Sequence, residues 1–146
     1  MSYRLHASLG YHLSRAARVQ ERRLDEGLKP LGLTRTSWCV LLAVGNEGLS
    51  RPSLIARFIG IDRTATSRTL RGMEDSGLIA RKAGDGDGRT TAVQLTALGR
   101  QRLSEGTPLA QANNAVMAER LSASEHADLM HYLARLTDGA EALKKL

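Results

Sequence analysis

The segment from residue 61 to residue 95 changes its periodicity halfway along, and this change limits the folds that the chain can adopt. Residues 61–78 repeat apolar side chains at helical spacing behind Asp62, whose carboxylate can accept hydrogen bonds from the free N–H groups of a first turn. Gly77 stands where a left-handed residue would end that helix. The inward stripe of the predicted helix consists of Thr66, Leu70, Met73 and Leu78.

Two short strands are predicted after this helix, Ile79–Ala83 and Thr91–Leu95, with the polar and glycine-rich stretch 84–90 between them. The second strand alternates apolar and polar side chains around Val93, and the connection has the composition of a hairpin tip. A helix followed by such a hairpin predicts a winged helix-turn-helix. In that fold the recognition helix enters the major groove of DNA and the hairpin, called the wing, reaches the adjacent minor groove.

The outward face of the predicted recognition helix combines small, hydroxylated and arginine side chains. Small groups let a helix approach DNA closely, and arginine reaches guanine edges or phosphates. A solvated amphipathic helix would show the same pattern, but the hairpin that follows favours the DNA-binding interpretation. We therefore predict DNA contacts by Thr64, Ala65, Ser67, Arg68 and Arg71 of the helix and by Asp87 and Arg89 of the wing.

The motifs of residues 28–99, in their order and spacing, resemble the MarR family of transcriptional regulators. They are Leu31-Gly-Leu-Thr34, Leu54-Ile-Ala56, Asp62, Thr64, Arg68, Met73-Glu74, Gly77-Leu-Ile79, Arg81, Asp87-Gly-Arg89 and Leu95-Thr-Ala-Leu-Gly99. The wing of the family often reads Asp-Arg-Arg, whereas Gly88 stands at the middle position here. The resemblance implies a cytoplasmic homodimer that binds a pseudo-palindromic operator, most often as a repressor released by a small aromatic or anionic effector.

The excess of basic residues lies in the part of the chain that contains this unit. The net charge is +6; residues 1–96 carry 15 Lys and Arg against 9 Asp and Glu, and residues 97–146 carry six of each kind. Seventeen of the 21 basic residues are Arg, whose planar guanidinium suits phosphate and guanine better than an ammonium does. This distribution favours a polyanionic partner such as double-stranded DNA.

Long amphipathic helices are predicted on both sides of this unit. Residues 5–31 have the pattern of one helix ended by Pro30 and Gly32, and a Ser122-to-Glu125 capping box opens a last helix running to about Leu143. The apolar stripes of these two helices find no cover within one subunit, which indicates a homodimer.

The predicted class is therefore mainly α with a small β-hairpin wing (α+β). The predicted parts are an N-terminal dimerisation helix (1–33), a winged helix-turn-helix unit (34–99) and C-terminal dimerisation helices (100–146).

Three further helices are predicted between these ends. Thr34 can cap a helix over residues 35–46, and Ser50 can cap a short positioning helix that Gly60 ends. Thr96 can cap a longer helix towards Leu121, which Gly106 and Pro108 are expected to kink or break.

An effector site between the dimerisation helices and the DNA-binding unit follows from the resemblance. The side chains expected there are Tyr11, His12 and Arg15 of the first helix and Trp38 of the second. An arginine beside aromatic rings would suit a small carboxylate or phenolate. The alternative is that Arg15 pairs with an acidic residue and that Trp38 belongs to the core.

No enzymatic activity, cofactor or metal site is predicted. The sequence contains no His-Glu-x-x-His pair, and the stretch 84–88 lacks dinucleotide-binding spacing and the glutamate that a calcium loop would need. Two alternatives stay open: a metal-responsive regulator using Asp128 and His131, and a small ligand-binding enzyme with the winged helix as scaffold. Cys39, within an apolar run, is predicted to behave as a small hydrophobe. Neither a membrane span nor a secretory signal is predicted.

Overall fold

A computed structural model describes residues 1–83 and 91–139, with the backbone alone for Thr91. The helices are α1 (Leu9–Leu28), α2 (Arg35–Gly45), α3 (Pro52–Ile59), α4 (Arg63–Asp75), α5 (Ala97–Ala118) and α6 (Ala123–Asp138), and the strands are β1 (Ile79–Ala83) and β2 (Thr91–Leu95). Two 3-10 turns, Leu5–Ala7 and Lys29–Leu31, flank α1. The chain divides into two units, Met1–Gln111 and Ala112–Leu146. The predicted class, mainly α with a small antiparallel sheet, is confirmed.

The core of the first unit forms where α2, α3, α4 and the sheet meet. Its completely buried side chains include Leu28, Leu41, Ile55, Leu70, Ile79, Val40 and Val93. All four residues of the predicted inward stripe of α4 are buried, and none is more than 5% exposed. Thr66, the polar member of this stripe, donates its hydroxyl to the Asp62 carbonyl at 2.8 Å, so burial leaves no unpaired donor there.

The two strands pair antiparallel with the bounds that the alternation predicts. Arg81 lies opposite Val93, and Ile79 lies opposite Leu95. Val93 is buried and Gln94 is exposed, as the period-two pattern requires. The Val93 N–H donates to the Ser50 carbonyl at 2.8 Å, which ties β2 to the segment before α3.

Side-chain caps define the beginnings of several helices. The Asp62 carboxylate accepts from the Ala65 N–H at 2.7 Å at the start of α4, as predicted. Thr34 and Ser37 form a capping box at α2, and Ser122 and Glu125 form another at α6. The Ser122 backbone N–H donates a hydrogen bond to the Glu125 carboxylate, and this bond holds the pKa of the Glu125 carboxyl below its usual range.

Two predicted helix starts are wrong. The first helix begins at Leu9 rather than Leu5, because the Ser8 hydroxyl accepts from the Tyr11 N–H at 3.3 Å and caps it there. The helix ends at Leu28, before the 3-10 turn that leads to the left-handed Gly32. The short helix α3 has Arg51, not Ser50, at its N-cap, with no side-chain cap.

The long helix after the wing is predicted to kink or break at Gly106 and Pro108. The break is wrong, because α5 continues through both residues, and the kink stays a prediction. Thr96 caps this helix as predicted, since its hydroxyl accepts from the Gly99 N–H at 3.1 Å. A Cβ at Gly106 would lie 2.5 Å from Cζ3 of Trp38, so glycine lets α5 pack directly on the indole ring. Tertiary packing of this kind overrides the poor helix propensity of Gly106.

The apolar stripes of the outer helices stay exposed in the single chain. Leu9 and Leu13 of α1 are 60% and 37% exposed, and Leu129 and Leu136 of α6 are 43% and 42% exposed. The last described helix ends at Asp138, so the predicted extension to Leu143 lies outside the described residues. None of the helices in the described ranges combines the length and apolar character that crossing a membrane requires.

Replacing Gly106 by Ala should destabilise the protein by about 1–3 kcal/mol, because the added methyl group collides with the Trp38 ring. Urea unfolding at one fixed protein concentration, followed by Trp38 fluorescence and circular dichroism, measures the change. Gly72→Ala is the matched control: this glycine is also inside a helix, but its added Cβ has no neighbour within 4 Å. The control should gain about 0.5–1 kcal/mol. Equal stabilities for the two variants would contradict the packing of α5 on Trp38.

Candidate nucleic-acid interface

The outward face of α4 carries the predicted helical contact residues. Thr64, Ser67, Arg68 and Arg71 are exposed, and Ala65 is half-buried next to the cap. The predicted wing residues Asp87 and Arg89 lie outside the described residues. The structure therefore brings four of the five helical residues, Thr64, Ser67, Arg68 and Arg71, onto one accessible surface, and Ala65 lies apart from it.

This surface is concave and contains one arginine that the sequence analysis did not select. Arg63, Thr64, Ser67, Arg68 and Arg71 line a depression of about 380 Å³. Arg63 is the first residue of α4, one turn before Ser67 and two turns before Arg71. Its spacing of four from Ser67 is the signal that could have identified it.

The arginines of this surface keep their positive charge available. Within the part of the chain that the structure describes, the ion pairs use Arg35, Arg81 and Arg102. Arg63, Arg68 and Arg71 take part in none of them. Three guanidinium groups without an ionic partner among the described residues, on one exposed helix face, create the local positive potential that attracts a phosphate backbone.

The positioning helix and a tight turn fix the orientation of α4. Gly60 ends α3 in the left-handed conformation with φ of 83°, and the N–H groups of Gly60 and Ile61 both donate to the Ala56 carbonyl. Asp62 then starts α4 at once, so the two helices form a helix-turn-helix. Arg57 in the last turn of α3 and Arg51 at the opposite end of this helix are both exposed.

The β1 strand contributes a second arginine that the sequence analysis had not placed among the contact residues. Arg81 approaches Glu74 of α4, with 3.5 Å between Nε and Oε2. It also lines a cavity of about 300 Å³ that Arg63 and Ser67 of the concave surface border as well. The wing and the recognition helix therefore meet beside the concave surface.

The residues predicted for an effector site occupy different surroundings. The Tyr11 ring lies 5.2 Å from that of His6 and 5.5 Å from that of His12. His12 also contacts the His6 carbonyl, with 2.8 Å between Nε2 and the oxygen. Arg15 is exposed on the next turn of α1, whereas Trp38 is only 4% exposed. The structure thus groups Tyr11 with the N-terminal histidines and places Trp38 in the core.

Cys39 is half-buried on α2. Burial raises the pKa of its thiol, and the nearby Arg35 charge opposes this shift less strongly. A raised pKa keeps the thiol protonated and slow to react at neutral pH. In residues 1–83 and 91–139, no group of three or more His, Cys, Asp or Glu side chains is placed to hold a metal ion.

A recognition helix, a positioning helix and an antiparallel wing define a winged helix-turn-helix DNA-binding protein. The sequence profile of the MarR family matches residues 31–90. The chain is 32% identical to the transcriptional regulator MosR of M. tuberculosis, solved in complex with DNA, with a TM-score of 0.79 over 93% of this chain and 98% of that one. The chain belongs to the MarR family of DNA-binding transcriptional regulators.

Two further solved structures have the same fold. A probable transcriptional regulator from Pseudomonas aeruginosa is 30% identical, with a TM-score of 0.82 over 91% of this chain and 99% of that one. A mutant MarR from E. coli, complexed with operator DNA, is 25% identical, with a TM-score of 0.80 over 88% and 92%. The family and these structural neighbours are transcriptional regulators, not enzymes.

Proposed function

We propose that this regulator is a homodimeric repressor that binds a pseudo-palindromic operator with one recognition helix per half-site. The observation that carries the proposal is the exposed face of α4, on which Arg63, Arg68 and Arg71 have no described ionic partner. Support also comes from MosR and the E. coli MarR variant, whose structures contain DNA.

The side chains of the concave surface have separate roles in this proposal. Thr64 of this surface and its half-buried neighbour Ala65 allow close approach to the groove, and Arg68 reads base edges, because arginine forms bidentate hydrogen bonds with guanine. Ser67, Arg63 and Arg71 contact phosphates on either side and set the register. In the wing, Asp87 holds Arg89 for insertion into the adjacent minor groove.

Replacing Arg68 by Ala should weaken operator binding by about 1–3 kcal/mol and relax the preference at one base pair. The loss arises because one base edge is left without its hydrogen-bond partner. Fluorescence anisotropy measures the binding, with the DNA footprinted beside the protein's own gene and a set of single base-pair variants of it. Lys29→Ala removes the same charge from an exposed position outside the concave surface and is the matched control. Equal affinity and equal base preference in both variants would rule out the role of Arg68.

The dimer is proposed to form through α1 and the C-terminal helices, so that residues 1–33 and 100–146 serve dimerisation and residues 34–99 bind DNA. The exposed apolar stripes of α1 and α6 support this division, because a two-fold interface would remove both from water. Two recognition helices related by a two-fold axis would then meet successive major grooves, with half-sites about 10 base pairs apart.

Introducing charge into the α6 stripe should convert the dimer into monomers. The double substitution Leu129→Glu and Leu136→Glu places two carboxylates where the proposed interface excludes water, so burial would leave both charges unpaired. Sedimentation velocity at micromolar concentration should show a dimer for the unmodified chain and a monomer for this variant. Ala127→Glu, also exposed on α6 but two residues from Leu129 and so on another face, should remain dimeric. A dimeric double variant would refute the assignment of α6 to the interface.

Release of the operator is proposed to follow the binding of a small aromatic or anionic effector at Tyr11, His12, Arg15 and Trp38. Tyr11 and Arg15 lie four residues apart and share one side of α1. The aromatic grouping of Tyr11 with His6 and His12 next to an exposed arginine supports an anionic aromatic ligand. The effector would stabilise a spacing of the recognition helices that does not match the operator.

Titration with a panel of salicylate-like aromatic acids should quench Trp38 fluorescence and lower operator affinity. Because coupling is reciprocal, operator DNA should lower effector affinity by the same factor. Arg15→Gln should abolish both responses, whereas Arg23→Gln, another exposed arginine of α1, should preserve them. If no compound changes fluorescence or DNA affinity, the effector proposal fails and the DNA-binding proposal is unaffected.

A further inference from the structure

We propose that Glu74 and Arg81 act as positioning residues: their ion pair sets the wing against the recognition helix and so determines how the operator flanks are read. The inference rests on the proposed function, because it assumes that α4 and the wing contact the same operator. It concerns a pair formed within the protein, in which neither residue is assigned a DNA contact.

The strand register directs Arg81 towards α4. Arg81 lies opposite Val93, and side chains of directly opposite residues project from the same face of a sheet. Val93 is buried in the core, so Arg81 extends from this inward face and its side chain is 27% exposed. Its guanidinium therefore lies between the wing and α4.

Arg81 has one described ionic partner. Its Nε atom is buried without a hydrogen bond among the described residues, and Oε2 of Glu74 lies 3.5 Å away. This separation is longer than a good N–H to oxygen hydrogen bond, so the attraction is mainly electrostatic. A buried guanidinium nitrogen favours any arrangement that keeps a carboxylate beside it. The pair therefore resists movement of β1 away from α4.

Glu74 also offsets repulsion between two arginines. Arg81 and Arg63 line the same cavity of about 300 Å³, with Ser67 at its side. Two guanidinium groups facing one small cavity repel each other, and the Glu74 carboxylate supplies the opposite charge on the Arg81 side. Without that charge, Arg81 would gain by turning towards solvent or towards a DNA phosphate. Glu74 thus keeps Arg81 within the protein.

The pair should affect DNA reading more than folding stability. The Arg81 side chain is 27% exposed and the Glu74 side chain is 45% exposed. Ion pairs in such surroundings change an equilibrium constant by up to about fivefold. The sheet of β1 and β2, however, has only two strands among the described residues, and a small rotation of it displaces most the residues that are farthest from the Arg81–Glu74 contact. The side chains that reach the minor groove would then lose their match to the flanking base pairs.

The test compares Glu74→Gln, Arg81→Gln, the double variant and Arg81→Lys on the footprinted operator and on the same operator with altered flanks. The ratio of the two dissociation constants is the flank selectivity. We expect each Gln variant to lower this ratio by about threefold to fivefold, because each removes the same ion pair. The double variant should lose no more than either single one, and Arg81→Lys should recover at least half of the loss. The thermal unfolding midpoints of the four variants should stay close to that of the unmodified chain.

Glu105→Gln is the matched control. Glu105 pairs with Arg102 at 2.7 Å, and the exposure is similar, 37% for Glu105 and 28% for Arg102. Both residues belong to α5, so this pair cannot orient the wing. The control removes one negative charge, as Glu74→Gln does. It therefore corrects for the gain in DNA affinity that the loss of any negative charge produces. It should leave the flank selectivity unchanged.

Salt dependence separates positioning from direct contact. If Arg81 contacted a phosphate, Arg81→Gln would lower the slope of log affinity against log salt by about 1, and Glu74→Gln would not. That result, additive losses in the double variant, or unchanged flank selectivity in both Gln variants would each overturn the inference. If the unmodified chain itself binds no operator, the proposed function fails and the inference fails with it. Normal operator binding with unchanged flank selectivity refutes the inference alone.

Discussion

The junction between the recognition helix, the sheet and α5 is the contact on which the rest of the DNA-binding unit depends. The carbonyl of Leu78 accepts from the Thr96 N–H at 3.1 Å, and the Thr96 hydroxyl donates to the Gly77 carbonyl. A side chain at Gly99 would collide with the Leu78 carbonyl, so glycine permits this approach. One residue, Thr96, therefore caps α5 and fastens it to the end of α4.

This junction explains how a small unit can present a rigid reading surface. The end of α4 is held by α5, its beginning is capped by Asp62, and its inner face is buried on α2 and α3. With both ends and one face fixed by described residues, the outer face of α4 stays exposed to a partner. The arginines there consequently present their charge on a preorganised backbone, which lowers the entropic cost of binding.

The elements that the sequence predicted well are those whose signals are local. Caps and periodicity placed α4 and both strands, because Asp62, Gly77 and the alternation around Val93 act within a few residues. Two of the wrong predictions arose where distant parts of the chain decide. Gly106 belongs to a continuous helix because of Trp38, which is distant in sequence, and Ser50 gives its carbonyl to Val93 instead of capping α3.

The candidate site shows the same division. The spacing on α4 selected five residues, four of which the structure places on one accessible surface, whereas Arg63 on that surface and Arg81 beside it were missed. Arg63 sits in the first turn, next to the cap, where it resembles an ordinary helix-start residue. The position of Arg81 depends on the register of β1 with β2 and on the packing of the sheet against α4, which no local pattern contains.

The capping carboxylate of Asp62 has one further consequence. Helix N-termini commonly accept phosphate, but here the Asp62 carboxylate already accepts from the Ala65 N–H at 2.7 Å. That N–H is therefore not free for an outside anion, and the positive charge at this end of α4 comes from the Arg63 side chain and not from the helix backbone.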